Sequence, residues 1–297
     1  MIKVGLISFL LVVFPMVCHG DMVGFIGDTR RYVTNTEKTQ FPYNTVVRFD
    51  EQGNTGTGTF VSDDVILTCR HVVDDVGVGQ VIDYYTSDGK KHMGYVAAYP
   101  SRDDSLSDFA IVVDENAFSG RVLELADVAR TDNNLMMIGY DSLKPLSDSE
   151  LGVIKKIYRD WLAENGKITP ENAMRAIVEI ELVLKENYAC NSPGQQDCVN
   201  CADDDMYCIF NDDRNMKVRE GCGIINASDS RIHTDCPGAP GASGAALISS
   251  DRNTILGINC HVVRPQIAQE LKATSTATRP EVYYKALQSW IKGLNEQ

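Results

Sequence analysis

The chain has 297 residues, 43% of them apolar, enough to bury a sizeable core in one or two packed units. Lysine and arginine number 28 against 41 aspartates and glutamates, a formal net charge of −13. A balance that acidic excludes nucleic acid as the expected partner and describes a solvated, soluble surface.

The first twenty residues carry Lys3, an apolar run from Val4 to Val17, then Cys18-His19-Gly20 ahead of an expected cut. Residues 1–20 are expected to be a signal peptide, since the run is too short for a membrane span, and no stable membrane association is expected. Removing them deletes one lysine and no acid, which takes the net charge from −13 to −14. Eight cysteines then remain: Cys69, Cys190, Cys198, Cys201, Cys208, Cys222, Cys236 and Cys260. An even number in an exported chain points to disulfides and a secreted or periplasmic location.

From residue 44 to 140 the chain reads as short β segments between turn signals such as Asp50–Asn54, Ser87–Gly89 and Pro100–Asp104. Thr45–Phe49, Thr57–Val61, Val65–Thr68, Val81–Tyr85, Tyr95–Tyr99 and Asp108–Val113 are the predicted strands, and six would close a barrel. Leu135–Tyr140 opens the second half. The strand Val65–Thr68 runs into His71, and Asp108 stands at the mouth of a buried run, where it is shielded from solvent and placed to accept an imidazole N–H. Asp103 and Asp104 lie in the preceding turn and Asp114 at the far end of the strand. Among the other histidines of the mature chain, His92, His233 and His261, none follows such a strand end.

Beyond Pro145 the period becomes helical. Ser147-x-x-Glu150 is a capping box, Ile154, Ile157, Tyr158, Trp161 and Leu162 follow at helical spacing, and Asn165-Gly166 stops the run. A second helix starts at Thr169-Pro170 with Met174, Ile177, Val178 and Leu182 on one side. The loop between them lacks the carboxylates of a calcium-binding helix-loop-helix. Residues 188–222 form a further insertion holding Cys190, Cys198, Cys201 and Cys208. Cys198-x-x-Cys201 has metal-ligand spacing, but the exported context favours disulfides, and neither a metal nor any other cofactor is expected. Cys222 and Cys236 suit a hairpin staple, which leaves Cys69 and Cys260 as a further pair.

The chain then reaches Cys236-Pro-Gly-Ala-Pro-Gly-Ala-Ser-Gly-Ala-Ala-Leu-Ile248, a sharply bending loop around Ser243. Gly241 and Gly244 permit backbone angles that turn amide N–H groups inward around the hydroxyl. The strand Thr254–Asn259 follows, and a helix over about 280–293, with Val282, Ala286, Leu287 and Trp290 on one face, closes the chain.

A serine nucleophile requires a base, an acid to orient that base, and N–H donors for the oxyanion. The order His71, Asp108, Ser243 is that of the chymotrypsin type. Through GTGTFVSDDVILTCRHVV, DFAIVV and PGASGAAL, over about 21–140 and 216–264, the chain resembles the trypsin-like serine peptidases. Ile26–Thr36 and Pro42-Tyr43 look like the start of bacterial glutamyl endopeptidases. The resemblance implies an all-β fold of two six-stranded antiparallel barrels, about 40–125 and 133–265, with the helical hairpin and Cys-rich loop (about 145–215) inserted in the second. It implies a monomeric endopeptidase with a polypeptide substrate, with His71, Asp108 and Ser243 as the triad and the N–H groups of Gly241 and Ser243 as the oxyanion hole.

Two positions depart from the family pattern. Ala242 replaces the Asp or Asn before the serine, so activation through a buried salt bridge to a new N-terminus cannot operate. Ala245 replaces a glycine and adds a methyl group beside the serine. Asn259 and His261 are the expected substrate-binding residues, with no implied preference for Glu. A second reading is a catalytically silent relative that binds another protein.

Overall fold

A computed structural model describes residues 30–51, 54–100, 108–115, 118–126, 134–141, 215–227, 231–236, 241–263 and 274–278, with isolated helical positions at 152, 156, 159, 160, 163 and 164. The first half is a closed antiparallel barrel. Its strands are β2 (Val46–Glu51), β3 (Asn54–Phe60), β4 (Val65–Thr68), β5 (Val81–Tyr85), β6 (Lys91–Ala98) and β7 (Ala110–Val113), ordered β2-β3-β4-β7-β6-β5. Helix α1 (Arg70–Val73) is a single turn leaving the end of β4.

The second half is a nine-stranded sheet. It contains β1 (Arg31–Tyr32), β8 (Glu124–Leu125), β9 (Leu135–Gly139), β10 (Lys217–Cys222), β11 (Ile224–Ala227), β12 (Arg231–Thr234), β13 (Ala245–Ile248), β14 (Thr254–Val263) and β15 (Thr274–Thr278). The order is β1-β10-β9-β13-β14-β15-β12-β11, with β8 added parallel to β14. A disulfide joins Cys222, at the end of β10, to Cys236, just past β12. Where a six-stranded antiparallel barrel is expected from sequence, the described residues form nine strands, with β1 and β11 at the ends of the order and one parallel pairing through β8.

Alternation along the central strands makes three cores. Ile66, Ala110 and Val112 point into the first barrel with Val47, Phe49 and Phe60. Met137, Ala245, Leu247 and Leu256 fill the second half. The opposite faces of the same strands, Val65, Leu67 and Ile111 from one half and Met136, Ile138, Ala246 and Ile258 from the other, merge into one cluster between the halves. Strands buried on both sides are apolar throughout, as β4, β7, β9 and β13 are.

The strand β10 lies inside the stretch read from sequence as an insertion. Lys217, Val218 and Arg219 are all buried, so no apolar alternation marks it. Positions 152, 156, 159, 160, 163 and 164 are helical, within the first expected helix. The signal peptide, the second inserted helix, Cys190, Cys198, Cys201, Cys208 and the terminal helix lie outside the described residues.

Candidate active site

Antiparallel pairing of Thr68 with Ala110 sets Asp108, two residues before Ala110, beside His71, three residues after Thr68. The carboxylate grips the histidine at two points: Oδ2 lies 2.7 Å from Nδ1, and Oδ1 accepts the His71 backbone N–H at 3.2 Å. The Asp108 side chain is 8% exposed and the imidazole 42%, so a buried carboxylate holds a ring whose remaining edge reaches solvent. The Cys69–Cys260 disulfide lies directly behind, joining the residue that precedes α1 to β14. Cys260 Sγ packs 2.7 Å from the Asp108 carbonyl oxygen.

The serine loop is seated on β3 and β14. The Thr57 N–H of β3 donates to the Ser243 carbonyl at 2.7 Å, and the Thr57 hydroxyl donates to the Gly241 carbonyl at 2.9 Å. Thr68 Oγ1 donates to the Thr57 carbonyl at 2.6 Å. On the other side, the Gly244 N–H donates to Asn259 O at 2.7 Å and Asn259 Nδ2 to Ala242 O at 3.0 Å. Gly241 and Gly244 have φ of 85° and 90°. At Gly244 a Cβ would stand 1.7 Å from the Thr57 carbonyl oxygen, so only glycine fits. Among the described residues, the N–H groups of Gly241 and Ser243 donate to no backbone carbonyl, whereas those of Gly244 and Ala245 do.

Below this loop lies a fully buried charge cluster. Asp141, just past β9, pairs with Arg30 at 2.9 Å and with Arg219, and Lys217 Nζ donates to its backbone carbonyl at 2.5 Å. Burial alone would raise the Asp141 pKa, but the charges of Arg219, Arg30 and Lys217 outweigh it and hold the pKa below the ordinary aspartate value. Tyr140, the residue before, donates its N–H to Thr57 Oγ1 at 2.9 Å, which links the cluster to the serine loop.

Residues 56–181 match the family model of the trypsin-like peptidase domain. Over that stretch the chain is similar to the trypsin-like serine peptidases. The structure of a Glu endopeptidase in complex with MPD is similar with a TM-score of 0.53 and 14% identity, over 91% of this chain and 99% of that one. Neuropsin, a serine protease expressed in the limbic system of mouse brain, gives 0.49 and 10%, over 84% and 94%. No curated protein sequence matches the chain.

Of the residues singled out in the sequence, His71 and Asp108 are in direct contact, and Gly241 and Ser243 share a loop hydrogen-bonded to β3 and β14. Asn259 is 2% exposed beneath that loop. His261 is on β14, paired with Thr276, and its side chain is outside the described set. The Ala245 methyl group is accommodated on β9, where a Cβ at Gly139 would stand 3.0 Å from it; a missing side chain there offsets the added one. Thr57, Asp141, Lys217 and Arg219 were not foreseen. Charged residues in an apolar strand setting at 217 and 219 were the available signal.

Proposed function

We propose that this chain is a secreted serine endopeptidase in which Ser243 attacks a peptide carbonyl, with His71 as general base and Asp108 as the carboxylate that orients it. The two-point contact between Asp108 and His71 carries this reading. With Nδ1 engaged by Asp108, Nε2 is the ring nitrogen left to take the Ser243 proton, and the buried carboxylate stabilises the imidazolium that results. Oγ bonds to the carbonyl carbon, the carbonyl π pair moves to oxygen, and the N–H groups of Gly241 and Ser243 stabilise that oxyanion. As the C–N bond breaks, the proton on Nε2 passes to the leaving amine. Water, deprotonated by the same nitrogen, then releases the acyl group and restores Ser243.

Support for export comes from the N-terminal apolar run and from two disulfides in buried sites. His261 is proposed to flank the bound substrate, whereas Asn259, expected from sequence to do so as well, is buried beneath the serine loop with its amide on Ala242 O. A fluorophosphonate probe should label Ser243 in the folded chain and leave Ser243→Ala unlabelled. A folded, unlabelled parent would instead identify a silent relative that binds polypeptides.

A further inference from the structure

Three consecutive carbonyls of the serine loop are each held by a donor from the body of the protein. Gly241 O accepts from Thr57 Oγ1, Ala242 O from Asn259 Nδ2, and Ser243 O from the Thr57 backbone N–H, at 2.9, 3.0 and 2.7 Å; Ala242 O also accepts from the Ala245 N–H at 3.0 Å, within the turn. A peptide unit is planar and trans, so its C=O and N–H point in opposite directions. Fixing Ala242 O therefore fixes the direction of the Ser243 N–H, because both belong to the same peptide unit. Gly241 O belongs to the preceding unit, whose N–H is that of Ala242, so Thr57 braces the plane that leads into the Ser243 unit. We infer that Asn259 and Thr57 are positioning residues for the oxyanion hole, Asn259 by holding the peptide unit of the Ser243 N–H from its carbonyl side and Thr57 by bracing the units on either side of it.

The hydrogen-bond inventory leaves little freedom. Tyr140 N–H is a donor and takes a lone pair on Thr57 Oγ1, so the single hydroxyl proton is directed to Gly241 O. A carbonyl requires a donor, so the Asn259 amide presents Nδ2 to Ala242 O. Both side chains are buried, at 0% and 2% exposure, where competing water is excluded and each bond is directional. The family pattern has an acidic or amide side chain at position 242. Here Ala242 has none, and two side chains from β3 and β14 hold the loop from outside it.

This inference rests on the proposed peptidase activity, and its test separates the two. Parent, Thr57→Val, Thr57→Ser, Asn259→Leu and Asn259→Asp are compared for peptide hydrolysis, with rates normalised to the folded fraction measured by thermal unfolding. A positioning role lowers kcat while KM changes little, on the order of tenfold to a hundredfold for Thr57→Val and Asn259→Leu, because a displaced donor weakens the transition state selectively. Thr57→Ser keeps the hydroxyl and recovers to within about threefold of the parent. Asn259→Asp sets a carboxylate against Ala242 O and falls below Asn259→Leu. Affinity for a peptide boronate, which mimics the tetrahedral species, falls in step with kcat/KM, whereas peptide binding to the Ser243→Ala background does not. Should the parent be active and both Thr57→Val and Asn259→Leu retain kcat within about threefold, the inference is wrong. A parent that hydrolyses nothing and takes no fluorophosphonate label overturns the peptidase reading itself.

Discussion

The Cys69–Cys260 disulfide closes a loop of 191 residues and joins the turn carrying His71 to a central strand of the other half. Cross-linking that many residues removes about 5 kcal/mol of unfolded-chain entropy, against about 3 kcal/mol for a loop the size of that between Cys222 and Cys236. Replacing both cysteines of the longer loop by alanine avoids burying new hydroxyls at sites that are 0% and 3% exposed. The double variant Cys69→Ala/Cys260→Ala is therefore expected to lose about 5 kcal/mol, a third or more of a typical domain stability. Cys222→Ala/Cys236→Ala should lose about 3 kcal/mol. Guanidinium titration of each variant beside the parent reads both values. The first variant should also lose kcat, since the bridge packs against the Asp108 carbonyl that precedes the buried strand. Equal stability losses, or full activity in Cys69→Ala/Cys260→Ala, would refute the reasoning that this bridge braces the site.

Asp141→Asn leaves Arg30, Arg219 and Lys217 buried without their carboxylate and should cost on the order of 3–5 kcal/mol at neutral pH, read by thermal unfolding. In the parent, a depressed carboxylate pKa contributes stability above its unfolded value that is lost as pH falls through the folded one, so stability should decline below about pH 4. The decline should be shallower in Asp141→Asn. Glu37, held at about 2 by Arg31 and Thr34, adds to the same acid limb. Gly244→Ala combines φ of 90° with a Cβ 1.7 Å from the Thr57 carbonyl oxygen, and should cost on the order of 3 kcal/mol or more with loss of fluorophosphonate labelling. Asp108→Asn should keep the fold and lower kcat by about ten-thousandfold, because an amide stabilises the wrong imidazole tautomer; a loss below tenfold in peptide hydrolysis would exclude Asp108 as the orienting group.

The first barrel was legible because its strands obey simple patterns. Val65–Thr68 and Val81–Tyr85 match their predicted bounds, one a continuous apolar run buried on both faces and the other an alternating segment with Ile82 and Tyr84 inward. The β10 strand failed the same test. Lys217 and Arg219 are buried on the face opposite Val218, where Asp141, 76 and 78 residues away in sequence, meets them. No local pattern records a partner at that separation.

The site divides along the same line. His71, Asp108 and Ser243 stood out because each caps or follows a strand in a distinctive string, so local context and chain order together marked them. Thr57 and Asn259 looked unremarkable by themselves, one a threonine in a glycine-rich strand and the other a strand-end amide. Their roles follow from packing one loop between β3 and β14, where the carbonyls of Gly241, Ala242 and Ser243 all turn inward. Buried carbonyls need donors, and a peptide unit that turns its N–H outward must send its carbonyl into the protein. The proposed oxyanion donor of Ser243 and the Asn259 amide beneath the loop are thus at the two ends of one peptide unit, which a sequence motif read locally does not reveal.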